Sequence, residues 1–187
     1  MKKLIVQIPS YNEQETIASV IKSIPRKIDG FDKVEVLVFD DGSTDKTVEL
    51  ARRSGADYVY YHIKNQGLAK TFADALEKAL SHKPDLIVNT DADGQYDQKQ
   101  IVELIKPIIN GHADMVIGNR QVNQLKWMRP VKRYGNIIGS FVLRFLTDTN
   151  ITDASSGFRA MTAKCASSFI LLSTRQPVGK VDIDFST

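Results

Sequence analysis

At 187 residues, 42% hydrophobic and 25% charged, the chain has the size and make-up of one globular domain able to bury a sizeable core. One cysteine, Cys165, excludes an internal disulfide and fits a reducing compartment; the short apolar run after Met1-Lys2-Lys3 excludes a secretion signal, and no stretch nears the ~20 apolar residues of a membrane span. The net charge of +3 is segregated: Met115 to Thr147 holds six bases (Arg120, Lys126, Arg129, Lys132, Arg133, Arg144) and no acid, a field suited to phosphates, anionic lipid or nucleic acid.

Along the chain, short β-branched apolar runs alternate with helical periodicities. Leu4 to Ile8 reads as a buried strand, and Asn12 with Glu15 resembles a capping box opening a helix on Ile17, Val20, Ile21 and Ile24. Val34 to Phe39 is the second strand, running through an Asp-Gly turn into another helix. Tyr58 to Tyr61 is the third. Leu68, Phe72, Ala75, Leu76 and Ala79 then share a helical face that the pattern predicts to be buried. Leu86 to Asn89 is the fourth strand, Ile101, Leu104, Ile105 and Ile108 mark a helix, and Met115 to Ile117 is the fifth strand. Beyond it, Arg120 to Arg133 reads as a basic loop carrying Trp127, Met128 and Pro130. Gly135 to Leu146 follows as an amphipathic helix with Ile138, Phe141, Val142 and Phe145 on one face. Ser173 to Thr187 mixes Pro177 and Gly179 with a strand-like Val181 to Phe185 and stops without a polar tail, which reads as a truncated chain. This alternation predicts an α/β fold with a mostly parallel sheet covered on both faces, and ligands at the carboxyl ends of its strands.

Three strand ends carry chemistry. Asp91-Ala92-Asp93-Gly94-Gln95 follows the fourth strand, and two carboxylates so close suit a hard divalent cation with oxygen ligands, bridging them to a diphosphate. A calcium loop and a polar turn with a helix cap are the alternatives; the glycine of an EF-hand loop stands sixth, between helices, whereas Gly94 is fourth and follows a strand. Phe39-Asp40-Asp41-Gly42-Ser43-Thr44-Asp45 ends the second strand. Its carboxylates could accept a base N–H, or Ser43 and Asp45 could simply cap the next helix. Pro9-Ser10-Tyr11-Asn12-Glu13 ends the first strand, where Tyr11 could stack on a base and Glu13 reach a ribose or ring donor. The alternative is a cap and a half-buried aromatic.

In order and spacing these motifs, with Asn65-Gln66-Gly67, resemble family-two glycosyltransferases from Leu4 to about Ala160. Gly118-Asn119-Arg120 and Ser156-Gly157-Phe158-Arg159 resemble the branch of dolichol-phosphate mannosyltransferase and bacterial polyprenyl-phosphate glycosyltransferases. The resemblance implies a GT-A fold, Rossmann-like, with a catalytic domain over residues 1–160 and the start of an acceptor-side segment at 161–187. It implies that Pro9, Tyr11, Glu13, Phe39 and Asp41 hold the nucleoside, that Asp91 and Ala92 line ribose and diphosphate, and that Asp93 with Gln95 holds Mg²⁺ or Mn²⁺. Arg120 would face the diphosphate or the acceptor phosphate, and Asp93 and Arg120 would be the catalytic pair. Nothing after Arg159 matches the family's acceptor-side basic residues.

The expected activity is transfer of a sugar, with inversion implied by the family, from a UDP- or GDP-sugar to a polyprenyl phosphate at the cytoplasmic membrane face. An anionic acceptor needs no general base, only cations to position it, and Arg129, Lys132 and Arg133 are candidates for that phosphate and for an anionic membrane surface. A sugar-hydroxyl acceptor would need a base that these residues do not supply, and is the alternative. A nucleotidyltransferase lacks its glycine-rich loop here. Nucleic-acid binding lacks a stacking platform around the lone Trp127. His62, His82 and His112 show no ligand spacing and read as surface residues, Cys165 as packing. Ser155-Ser156 has no nucleophile elbow, and Asp153 reads as a cap or an acceptor-side carboxylate.

Overall fold

A computed structural model describes residues 2–118 and 156–174, with side chains to residue 170. Arg120, the basic stretch from Lys126 to Arg133, the helix expected at Gly135 to Leu146, Asp153, Ser155 and the strand expected at Val181 to Phe185 lie outside the described residues.

The described residues form one six-stranded sheet: β1 (Lys3–Ser10), β2 (Lys33–Asp40), β3 (Tyr58–Tyr61), β4 (Leu86–Asn89), β5 (Met115–Ile117) and β6 (Arg159–Thr162), in the order β3-β2-β1-β4-β6-β5. β1 pairs in parallel with β2 and with β4, and β2 with β3, whereas β6 runs antiparallel to both β4 and β5. The chain therefore leaves β1 in one direction for β2 and β3 and in the other for β4. That reversal opens a crevice at the carboxyl ends of β1, β2 and β4.

Alternate residues of β1 commit to opposite faces. Leu4, Val6 and Ile8 pack with the helices α1 (Ile17–Ser23), α2 (Thr47–Arg53) and α4 (Ile101–Ile109). Ile5 joins Leu37, Phe39, Ile87 and Met161 against α3 (Leu68–Ser81) and α5 (Ala163–Thr174). Ile5 and Ile8 are wholly buried, so truncating either to alanine would cost about 2–5 kcal/mol.

Several expectations change. β3 and β5 are half-exposed rather than buried, because among the described residues each has a neighbouring strand on one side only. The capping box does not form: α1 starts at Ile17 behind Thr16, and Asn12 turns to φ 55°. Its side chain accepts from the Thr44 N–H at 2.9 Å, and its own N–H donates to Ser43 Oγ at 2.8 Å. Asn12 thus ties the first strand-end loop to the second. Leu68 is 74% exposed rather than buried, since it opens α3 at the lip of the crevice. The strand β6 crosses residue 160, and α5 continues the same core beyond it.

Candidate active site

At the crevice a cleft of about 510 Å³ is lined by Pro9, Tyr11 and Glu13 after β1, Asp41 after β2, and Asp91, Ala92 and Asp93 after β4. Asn65, Gly67, Leu68 and Thr71, at the start of α3, close the remaining side.

The Asp40-Asp41-Gly42-Ser43 turn divides its labour. Asp40 folds the turn by accepting from the Ser43 N–H at 2.7 Å and from its hydroxyl. Asp45 caps the first turn of α2 by accepting from the Thr47 N–H at 2.9 Å, and it receives the Gln14 N–H at 3.2 Å. Gly42 stands at φ +76°, and a Cβ there would lie 2.7 Å from the Lys64 carbonyl carbon, so only glycine lets this turn reach the loop before α3.

Asp41 faces that loop. Its Oδ1 accepts from the Gln66 N–H at 2.8 Å and contacts His62 Nδ1 at 2.8 Å, while Oδ2 accepts from the Gly67 N–H at 2.9 Å. Burial pushes this carboxyl up, but bonds from His62, Gln66, Thr71 and Gly67 outweigh it and hold it below the ordinary range. Asp41 is therefore an anion at neutral pH that fixes the Asn65-Gln66-Gly67 loop while bordering the cleft.

The Asp91–Gln95 turn is built on a polar chain under the sheet's end. Gln7 Nε2 donates to Asn89 Oδ1 at 3.0 Å, and Asn89 Nδ2 donates to the Gly157 carbonyl at 2.6 Å. The Gly157 N–H donates to Tyr96 Oη at 3.1 Å, and the Tyr96 ring stacks on Phe158 at 5.0 Å. Gly157 leaves room for the Asp91 carboxylate: a Cβ there would sit 2.2 Å from Asp91 Oδ1. Beneath, the Arg159 guanidinium donates to the Ser156 carbonyl at 2.8 Å and lies 5.4 Å from the Phe72 ring centre. Burial lowers its pKa, and the charges of Asp91 and Tyr96 oppose that. The Ser156-Gly157-Phe158-Arg159 motif is thus a support for Asp91.

Asp93 is half-buried, and its Oδ1 accepts the Gln95 N–H at 3.0 Å, which sets its carboxylate beside the exposed Gln95 in one turn. Among the described residues no group of three or more His, Cys, Asp or Glu side chains gathers as a metal cage. A carboxylate, a carboxamide and diphosphate oxygens are hard donors. They fit Mg²⁺ or Mn²⁺, which keep waters and take few protein ligands.

Seven of the site residues expected from the sequence line the cleft; Phe39 and Gln95 do not. The Phe39 ring is 4% exposed, edge-on to His62 at 4.8 Å and stacked on Tyr60 at 6.2 Å, so its side chain belongs to the core beside α3. Two histidines expected at the surface are built in. His62 spans Asp41 and Asp74, and His82 stacks on Tyr58 at 3.7 Å with Nε2 2.9 Å from Tyr60 Oη. His112 is exposed, as expected. The support residues Gln7, Asn89 and Tyr96 and the His62–Asp74 pair escaped sequence reasoning; Gln7 and Asn89 alone left a trace, as polar side chains in otherwise apolar runs.

A cleft at a β1/β4 switch point, with acidic strand-end turns and one antiparallel strand among the described ones, is a GT-A type of architecture. The match to the model "Glycosyl transferase family 2" covers residues 5–168, and the chain belongs to that family. It is 36% identical over 170 residues to an uncharacterized protein of Methanocaldococcus jannaschii, covering 90% of this chain and 68% of that one. It is 32% identical to the dolichyl-phosphate hexose transferase of Haloferax volcanii, covering 84% and 65%, and 30% identical to the undecaprenyl-phosphate mannosyltransferase of Micrococcus luteus, covering 86% and 67%. Among solved structures, glucosyl-3-phosphoglycerate synthase of Mycobacterium tuberculosis superposes with a TM-score of 0.64 at 26% identity, covering 87% of this chain and 58% of that one. A structure of the same enzyme with Mn²⁺, UDP and phosphoglyceric acid matches at 25% identity with a TM-score of 0.62, covering 87% and 56%. The chain thus spans about two thirds of the length of these curated relatives and less of the solved ones.

Proposed function

We propose that the protein transfers a sugar from a UDP- or GDP-sugar to a polyprenyl phosphate, with Mg²⁺ or Mn²⁺, at the cytoplasmic face of the membrane. The observation that carries this is the convergence of Tyr11, Glu13, Asp41, Asp91 and Asp93 from three strand ends on one cleft. The names of the relatives from Haloferax volcanii and Micrococcus luteus support the acceptor.

Tyr11, 45% exposed at the rim, offers a ring on which a base stacks. Asp41, anchored on one side by the loop before α3, offers its remaining acceptor capacity to a base N–H, which uracil and guanine both present. Glu13, whose carboxylate already accepts the Thr16 hydroxyl at 3.0 Å, borders the ribose side. Asp91, seated on Gly157, and Ala92 line the ribose and diphosphate. Asp93 with Gln95 would hold the cation, which when bound offsets the charge growing on the departing diphosphate. An acceptor that is already an anion attacks without a base, so the protein's task is positioning. We assign this to Arg120, with Arg129, Lys132 and Arg133 guiding the lipid phosphate and contacting anionic membrane. No helix among the described residues is long and apolar enough to cross a membrane.

The test is transfer from radiolabelled UDP- and GDP-sugars to undecaprenyl and dolichyl phosphate by the full-length native protein, with Mn²⁺, with Mg²⁺ and with EDTA. Cation-dependent label in the lipid fraction is expected. Label only on a sugar hydroxyl or on phosphoglyceric acid would overturn the acceptor assignment.

A further inference from the structure

His62 stands at the end of β3, one residue past the strand, with its ring between two carboxylates. Nδ1 is 2.8 Å from Asp41 Oδ1 and Nε2 is 2.8 Å from Asp74 Oδ2 of α3, and the ring is mostly buried. An ionised carboxylate can only accept a hydrogen bond, so both ring nitrogens must donate, and a ring that donates from both is an imidazolium. The surroundings agree. Asp74 also receives the Lys70 ammonium, which fixes its charge, and Asp41 is held ionised by two backbone N–H groups. Across the ring from α3, His62 lines a smaller pocket with Asp40, Tyr61 and Arg52 of α2, and the Phe39 ring meets it edge-on. Burial works to lower the ring's pKa, but the bonds and charges of Asp41 and Asp74 outweigh it and raise it.

We infer that His62 is a positioning residue for the nucleotide: as a cation bolted between Asp41 and Asp74 it holds the Asp41 carboxylate and the Asn65-Gln66-Gly67 loop in the geometry that receives the base. The inference rests on the cleft being the nucleotide site. Asp41 borders the cleft with one oxygen committed to His62 and Gln66 and the other to Gly67. When the ring loses a proton, one nitrogen turns a lone pair toward a carboxylate. Asp41 or Asp74 must then swing away or take up a proton. Either change alters the acceptor offered to the base and loosens the tie between β3, the loop and α3. Among the described residues the ring's hydrogen bond to the cleft lining is the one to Asp41, so its effect falls on nucleotide binding and not on the transfer step. The consequence is a donor affinity that declines as the medium turns alkaline.

The test measures calorimetric affinity for UDP and GDP with Mn²⁺ from pH 6 to pH 9 in the full-length wild type, His62→Asn and His62→Ala. It adds ¹⁵N spectra of the histidine rings. Asn places an amide near the Nδ1 position and keeps a neutral donor for Asp41 without titrating. Wild-type affinity is expected to fall roughly tenfold across the range, the scale of one charge-assisted hydrogen bond. His62→Asn should bind with an affinity that ignores pH, and His62→Ala should bind more weakly throughout, both with kcat at saturating donor near wild type. The spectra should show one ring protonated on both nitrogens at neutral pH. Binding by all three proteins with the same pH profile, or a neutral His62 ring, overturns the role of His62 while leaving the cleft assignment intact. No nucleotide binding by wild type at any pH overturns the cleft assignment and this inference with it.

Discussion

Replacing Gly157 with alanine loads one methyl group onto the Asp91 carboxylate. The backbone at Gly157 stands outside the positive-φ region that favours glycine, so alanine brings no conformational penalty, and its effect comes from space alone. The new Cβ would lie 2.2 Å from Asp91 Oδ1, 2.4 Å from Oδ2 and 2.6 Å from Cγ. Contact near ~3.5 Å requires a retreat of about 1 Å. Gly157 itself is held on both sides, its N–H by Tyr96 Oη and its carbonyl by Asn89 Nδ2, so the displacement falls on Asp91. Overpacking of this kind costs about 1–3 kcal/mol of stability. Misplacing a substrate-positioning group by ~1 Å costs on the order of 100-fold in rate. Gly157→Ala is therefore expected to remain folded, with a modestly lower Tm, while transfer drops by on the order of 100-fold. The measurements are a melting curve and steady-state kinetics on the full-length enzyme. A folded Gly157→Ala protein with wild-type rate and nucleotide affinity would refute the seating of Asp91 on this glycine as a functional feature.

Asp93→Asn should abolish the Mn²⁺-dependent part of UDP or GDP affinity in calorimetry, with metal-free Tm unchanged or raised; a much lower Tm would make Asp93 a structural carboxylate. Asn89→Ala removes the acceptor of Gln7 and the donor to Gly157, and leaving these buried groups unpaired should cost about 2–3 kcal/mol in urea denaturation. Stability should also depend on pH in a way that separates the two built-in histidines. The raised pKa of His62 gives stability that is complete at mildly acid pH and lost as pH rises through that pKa, whereas His82, lowered by burial and by Lys3, loses stability as pH falls. Urea midpoints of wild type minus His62→Asn from pH 5 to pH 9 cancel the His82 part, and the difference should shrink steadily with rising pH. Below that range the lowered carboxyls Asp41, Asp45 and Asp74 lose their contribution as pH falls through their pKa values.

Where a local pattern had one physical solution, the sequence was transparent. The runs Tyr58–Tyr61, Leu86–Asn89 and Met115–Ile117 are strands with those very ends, since β-branched and aromatic residues bounded by polar turns have few other uses. The carboxylates after β2 and β4 were legible because acids at strand ends of a parallel sheet meet at its carboxyl edge. The strand Arg159–Thr162 was not legible. It is four residues long, it carries an arginine, and it is a strand only because β4 and β5 offer an open slot on each side. His62 was misread for a related reason: its two partners come from the end of β2 and from α3, and no spacing along the chain reports that meeting. Asn12 failed as a cap because tertiary partners, the Ser43 hydroxyl and the Thr44 backbone N–H, outcompeted the local one.

The antiparallel placement of β6 has an evolutionary consequence. β5 and β6 are neighbours in the sheet although residues 118–158 separate them along the chain, and the two ends of that excursion are joined by the Gly118 N–H donating to the Phe158 carbonyl at 2.7 Å. Gly118 can come so close because a Cβ there would meet the Phe158 ring at 2.7 Å. The sheet thus presents a fixed socket with two adjacent contacts, and what is plugged between them is free to change. Doubling the length of such an insertion adds only about 0.6 kcal/mol of closure entropy. A lineage could exchange the excursion while the strands on either side of it stay as they are.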